Sequence, residues 1–190
     1  RIGDDAFYGC SSLVSVNIPQ SVAKIGVNAF RNCTSLPVID NVRYADTYLI
    51  GAVDTLKSTY KIKDGTRWIG SEAFYCCTEM KEITIPETVE AIGDQAFMGC
   101  ASLDFISIPK SVRKIGHRAF GGDGVYIEDD DNYNDDIDDY IYIPCRLKSV
   151  VSLNTIPAYY EGHEINDYTD ALFDQYTYFH APLYVPEGSY

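Results

Sequence analysis

Apolar residues recur along this chain in a pattern longer than any helix or strand period: Ile2-Gly3 returns 23 residues later as Ile25-Gly26, and Ile69-Gly70 returns as Ile92-Gly93 and again as Ile115-Gly116. Ala-Phe follows each pair at the same offset, at Ala6-Phe7, Ala29-Phe30, Ala73-Phe74, Ala96-Phe97 and Ala119-Phe120. A unit this short cannot bury its own apolar face, so successive units must stack and share a core. Within a unit the spacing of Leu13, Val16 and Ile18 predicts a short inward-facing strand, which Pro19, Pro86 and Pro109 end in their units by withholding the next amide donor. Strands from successive units then lie parallel in a concave sheet. The Ser-Val-x-x-Ile-Gly segment adds a second short extended stretch, and Asp-x-x-Ala-Phe a turn or short helix on the convex side. Phe7, Phe30, Phe74, Phe97 and Phe120 become a stacked ladder in the core.

The pattern weakens between Leu36 and Trp68, yet Ile25 and Ile69 are 44 residues apart, two short of two periods. A degenerate unit fits. Thr59-Tyr60-Lys61-Ile62 restores the register, with Lys63 at the proline position, and Tyr44 to Val53 reads as a hairpin-like variant. A second interruption, at about residues 121 to 144, is strongly acidic. The chain thus divides into repeats over 1–144, including that insertion, and a modified closing repeat over 145–190.

The phrase Ile-Gly-x-x-Ala-Phe-x-x-Cys-x-x-Leu-x-x-Val-x-Ile-Pro, carried most clearly by residues 2–19 and 92–109, resembles the BspA-type leucine-rich repeat over most of residues 1 to 120. Leu147-Lys148-Ser149-Val150, Asn154-Thr155-Ile156-Pro157, Ala171-Leu172-Phe173 and Leu183-Tyr184-Val185-Pro186 resemble the closing repeat of surface proteins of gut and oral Bacteroidetes. The resemblance implies a right-handed leucine-rich-repeat solenoid of seven or eight turns, a secreted or surface-anchored location, and attachment to host extracellular or cell-surface proteins or to bacterial surface components. One scaffold hosts many functions, so the resemblance does not choose a ligand. A carbohydrate-binding accessory module and a pure spacer are the alternatives.

Charge and chemistry narrow the picture. A formal charge of -13 opposes nucleic-acid phosphates and anionic membrane surfaces. No run approaches the roughly 18 apolar residues of a membrane span. Arg1 already stands inside a repeat motif, as at a cut end; a leader or anchor would lie outside this sequence. No Gly-x-Ser-x-Gly elbow or Cys-His pair is present, His117, His163 and His180 fall at unrelated places, and Gly121-Gly122-Asp123-Gly124 lacks the Lys-Ser/Thr of a phosphate loop. A non-enzymatic protein is expected. Cys10, Cys33, Cys77 and Cys100 each follow Ala-Phe by three residues, which suggests a buried ladder of reduced thiols; disulfides and a metal site are the alternatives, although paired zinc knuckles are missing. Cys76 breaks that regularity.

Strand alternation exposes the residues between inward positions: Ser15 and Asn17, Val38 and Asp40, Thr59 and Lys61, Glu82 and Thr84, Phe105 and Ser107, Ser149 and Val151. Phe105 is the large aromatic of the row, an interface anchor if ringed by polar groups and an ordinary exposed apolar residue otherwise. Asp40, Lys61, Glu82, Thr84, Phe105 and Ser107 are therefore the candidate ligand-binding set. In the acidic insertion, Glu128, Asp130, Asn132, Asn134, Asp136 and Asp139 put oxygen ligands at places 1, 3, 5, 7, 9 and 12, the spacing of a calcium loop. Tyr133 stands where that loop needs glycine, and a solvated loop explains the same residues. Apart from calcium, no cofactor is expected. The sixteen tyrosines suit ring stacking on sugars, but equally the capping of an apolar end.

Overall fold

The computed structural model describes residues 1–121 with their side chains and, beyond them, Asp123–Tyr126, Tyr140–Ile143, Ser149–Ser152, Tyr159–Tyr160 and Leu183–Tyr184 as strands. Mixed ladders begin with a double hairpin. β1 (Val38–Ile39) turns through Asp40-Asn41 into β2 (Val42–Ala45), which turns through Asp46-Thr47 into β3 (Tyr48–Ala52). Asp40 and Asn41 both have positive φ, 49° and 70°, the backbone that a two-residue hairpin of strand-matching twist requires and that Asx side chains tolerate.

From there each unit contributes two strands: β4 (Thr59–Lys61) and β5 (Trp68–Ile69), β6 (Glu82–Thr84) and β7 (Ala91–Ile92), β8 (Phe105–Ile108) and β9 (Lys114–Ile115). Partners are parallel and 23 residues apart at Thr59↔Glu82, Trp68↔Ala91 and Ala91↔Lys114, as they are at the single bridge Ile2↔Ile25. β10 (Asp123–Tyr126) and β11 (Tyr140–Ile143) form an antiparallel pair within the interruption at about residues 121 to 144. β12 (Ser149–Ser152) then pairs with β8, β13 (Tyr159–Tyr160) with β9, and β14 (Leu183–Tyr184) with β12, so the stacking resumes beyond the insertion.

The largest sheet is not on the side expected. It runs β1-β2-β3-β5-β7-β9-β13 and contains the Ile-Gly stretches of β5, β7 and β9, whereas the Leu-x-x-Val-x-Ile side is split into β4-β6 and β8-β12-β14. Leu13 to Ile18 pairs in no ladder, although Ile18 is buried and Leu13 and Val16 pack against the core as the alternation predicts. Three walls surround that core, and the third consists of the Ala-Phe segments, which form turns rather than helix. Their amides reach the next unit in threes: Asp5, Phe7 and Gly9 donate to the carbonyls of Val27, Ala29 and Arg31; Glu72, Phe74 and Cys76 to Asp94, Ala96 and Met98; Gln95, Phe97 and Gly99 to His117, Ala119 and Gly121, all at 2.7–3.0 Å.

Phenylalanines stack inside this wall. Phe7–Phe30, Phe74–Phe97 and Phe97–Phe120 lie nearly parallel with centroids 5.1, 5.3 and 5.5 Å apart, worth about 0.5–1.5 kcal/mol per pair beyond the area they bury. The degenerate unit has no phenylalanine, and tyrosines take over: Tyr48 tilts against Phe30 and Tyr60 stands edge-on to Phe74. Lys63 does replace the strand-ending proline, and the amide that proline would lack donates to the Tyr44 hydroxyl at 3.1 Å. Thr66 occupies the following valine slot, completely buried, with its hydroxyl donating to the Lys63 carbonyl at 2.8 Å.

Glycine is required beside the isoleucine because the units approach so closely there. A Cβ on Gly93 would lie 2.5 Å from the Ser71 nitrogen and 2.7 Å from the Gly70 carbonyl carbon, whereas one on Gly3 would meet nothing within 4 Å. Gly93→Ala should therefore lower unfolding free energy by about 1–3 kcal/mol or more, an overpacking cost that backbone atoms cannot relieve. Gly3→Ala should change it by less than about 1 kcal/mol, in the stabilising direction. Urea unfolding of the two variants beside the parent checks the contrast.

Candidate functional site

Alternation on β4, β6 and β8 sorts side chains by face. Tyr60, Ile83 and Ile106 point into the core, while Thr59 and Lys61, Glu82 and Thr84 are exposed and Phe105 and Ser107 follow on β8. Because β4 and β6 are parallel and in register, Thr59 sits beside Glu82 and Lys61 beside Thr84. Phe105 is half exposed, at 51%, and its backbone pairs with Ser149 as that of Ser107 pairs with Val151. β6 and β8 lie side by side without a hydrogen-bonded ladder between them. Five of the six candidate residues, Lys61, Glu82, Thr84, Phe105 and Ser107, are thus brought to one face.

Asp40 is not. It is the first turn residue of the β1–β2 hairpin, and Val38 pairs antiparallel with Arg43, so neither lies in the row of β4, β6 and β8. The Asp40-Asn41 pair between two β-branched runs was the sequence signal for that turn. Ser15 and Asn17 are exposed on the unladdered Leu13–Ile18 segment. The calcium candidates Glu128, Asp130, Asn132, Asn134, Asp136 and Asp139 lie outside the described residues, as do His163 and His180. His117 is half-buried, and its amide donates to the Asp94 carboxylate at 2.8 Å. Among the described residues no group of three or more His, Cys, Asp or Glu side chains is placed to hold a metal ion.

The thiols follow the repeat except at its open side. Cys33, Cys77 and Cys100 are buried, and Cys33 and Cys100 donate to the carbonyls of Phe7 and Phe74 in the preceding units. Cys10 is exposed, contrary to the expected ladder, because no described unit covers that side of the first one. Burial pushes the Cys77 thiol up to about 11 and the Tyr48 hydroxyl up to about 12, and raises Cys33 and Tyr60 as well. These groups serve the core in their neutral forms. Cys76 has a separate role: with φ of 51° it fills the left-handed slot held by Gly9, Asn32 and Gly99 in other units.

A concavity lies where the degenerate unit is short. Asn28 and Arg31 form one side, Ser71 and Glu72 the other, and Tyr48 and Ile50 also line it. Arg31 and Glu72 meet across it at 2.6 Å, an exposed pair worth about 0–1 kcal/mol. At 140 Å³ it is well below the roughly 300 Å³ of small-molecule sites.

Stacked short units, an apolar core between them and an open polar face with one aromatic define a repeat protein. The chain belongs to the BspA-type leucine-rich-repeat family, whose model matches it in six copies over residues 1–125 and 57–159. Among solved structures it is similar to a leucine-rich-repeat protein of T. pallidum, with 31% identity and a TM-score of 0.34 over 79% of this chain and 50% of that one. A leucine-rich cell surface protein of Faecalibacterium prausnitzii shares 22% identity at a TM-score of 0.41, with 85% and 51% covered. A leucine-rich-repeat protein of Bacteroides ovatus shares 20% at 0.31, with 82% and 60% covered. The chain spans 50 to 60% of the length of these three proteins. No curated protein matches it.

Two outcomes follow from the thiols. Cys76→Gly should raise unfolding free energy by about 0.5–1 kcal/mol, the left-handed cost of about 1–2 kcal/mol less glycine's entropy, read from urea midpoints. Burial raises Cys77 above its ordinary value of 9.0, so the folded chain holds that proton more tightly than the unfolded one. Stability should accordingly be level up to about pH 9 and fall as pH rises toward about 11, and urea titrations across that window test it.

Proposed function

We propose that the chain is a non-catalytic binding module of a bacterial cell surface, a solenoid whose concave face takes a protein partner, either a host extracellular protein or a component of another cell. The observation that carries this reading is the face itself. Lys61, Glu82, Thr84 and Ser107 share this face with a half-exposed Phe105, on short strands whose opposite side is core. An aromatic set among hydrogen-bonding groups is the usual composition of an interface centre, and strands anchored by stacked units lose little freedom on binding. Membership of the BspA-type family supports a recognition role, and the net charge of -13 favours partners that are neutral or basic where they touch.

The deciding experiment is an array carrying host matrix proteins and glycans, probed with the purified chain in calcium and in chelator. The expected result is binding to proteins that Phe105→Ala weakens by about 30-fold or more, the equivalent of a 2 kcal/mol anchor, without lowering the melting temperature. Hits on glycans alone would replace this reading with a carbohydrate-binding module, and a blank array in both conditions would leave a spacer.

A further inference from the structure

The row of strands on the open face ends at β4. Between β4 and β6 the Ser58 carbonyl accepts from the Lys81 amide at 2.8 Å, and the Ile62 amide donates to the Thr84 carbonyl at 3.3 Å. Even-numbered residues of this stretch therefore aim their backbone groups at β6, and the pleat directs the amides and carbonyls of Thr59 and Lys61 the opposite way. Among the described residues β6 is the only strand beside β4, and neither Thr59 nor Lys61 has a backbone hydrogen bond on the other side. Both are exposed. The repeat would set Val38 to Asp40 beside Thr59 to Lys61, but the hairpin turns that segment back onto β2 and leaves Val38 and Ile39 exposed as well.

We infer that the free edge of β4 takes an extended peptide strand from a protein partner, parallel to β4 and carrying an acidic side chain beside Lys61. The direction follows from the stack, since β4, β8, β12 and β14 all pair parallel on this side. The edge offers two amides and two carbonyls, a row of groups that a strand edge presents to any chain able to pair with it. Its sign selects the occupant. Lys57, Lys61 and Lys63 fall within seven residues that include no acid, so the edge is locally positive in a chain of net charge -13. Lys63 is held by the Asp46 carbonyl and the Tyr44 ring, whereas Lys61 stands exposed beside Thr84, and β6 offers it no carboxylate opposite. The same charges oppose a second copy of this chain: two β4 edges paired antiparallel would set their Lys61 side chains diagonal to each other and join two acidic molecules. Docking of this kind takes affinity from main-chain hydrogen bonds and selectivity from alternate side chains. The edge lies two strands from Phe105, and the inference goes beyond the reading of that face, so either can fail without the other.

Amide hydrogen exchange of the full chain, read by NMR with acetyl-Thr-Val-Glu-Val-Glu-amide, tests the inference. With the peptide threonine beside Thr59 and its first glutamate beside Lys61, the acetyl and first valine carbonyls accept from the Thr59 and Lys61 amides. The two valine amides then donate to the Thr59 and Lys61 carbonyls. The expected result is a saturable slowing of exchange at Thr59 and Lys61, with Ile62, already bonded to Thr84, unchanged. Lys61→Glu, at an exposed position, should weaken the peptide about fivefold. Methylating both valine nitrogens keeps the charge, removes the donors and should abolish the effect. Unchanged exchange at Thr59 and Lys61 would overturn the inference. An equal effect of the methylated peptide would also overturn it, by reducing the association to charge, as would tighter binding of acetyl-Thr-Val-Lys-Val-Lys-amide, by reversing the sign.

Discussion

Everything in this molecule depends on the spacing between one unit and the next. No unit of 23 residues holds a core of its own, so the stacking distance must suit three things together: backbone hydrogen bonds, stacked rings and the passage of one chain over another. Glycine beside isoleucine makes that distance possible, because at Gly26, Gly93 and Gly116 the neighbouring backbone stands where a side chain would begin. The Ala-Phe turns use the same distance for their amide triplets. Phenylalanine rings about 5 Å apart then fill the space between.

The degenerate unit shows how far this scheme bends. Two residues fewer remove its turn, and the structure compensates with chemistry drawn from elsewhere in the chain. Tyr48 and Tyr60 continue the aromatic contacts, and the Tyr44 hydroxyl receives the Lys63 amide. Arg43 secures the hairpin to the unit before it through the carbonyls of Thr34 and Leu36. The Arg67 guanidinium stacks on Trp68 while pairing with Glu90 and reaching the Gln20 carbonyl, so one side chain spans both sides of the irregularity.

Two surfaces of different character result. The row on β4, β6 and β8 consists of side chains and is tuned by substitution at positions the core does not use. The concavity between Asn28 and Arg31 on one side and Ser71 and Glu72 on the other lies where the degenerate unit is short.

Much of this was legible in the residues alone. The recurrence of Ile-Gly, Ala-Phe and Leu-x-x-Val-x-Ile determined the stacked units, the inward face, the phenylalanine ladder and the five residues that share the open face, because periodic burial leaves a periodic trace. The tertiary structure alone decided what depends on contacts between units. It made the Ile-Gly stretches the longer sheet, left Leu13 to Ile18 without a ladder, turned Asp40 into a hairpin corner and exposed Cys10. It also opened the concavity beside Asn28 and Arg31, because the space between two units is set by the side chains and length of both, and the sequence of either unit alone does not show what its neighbour supplies.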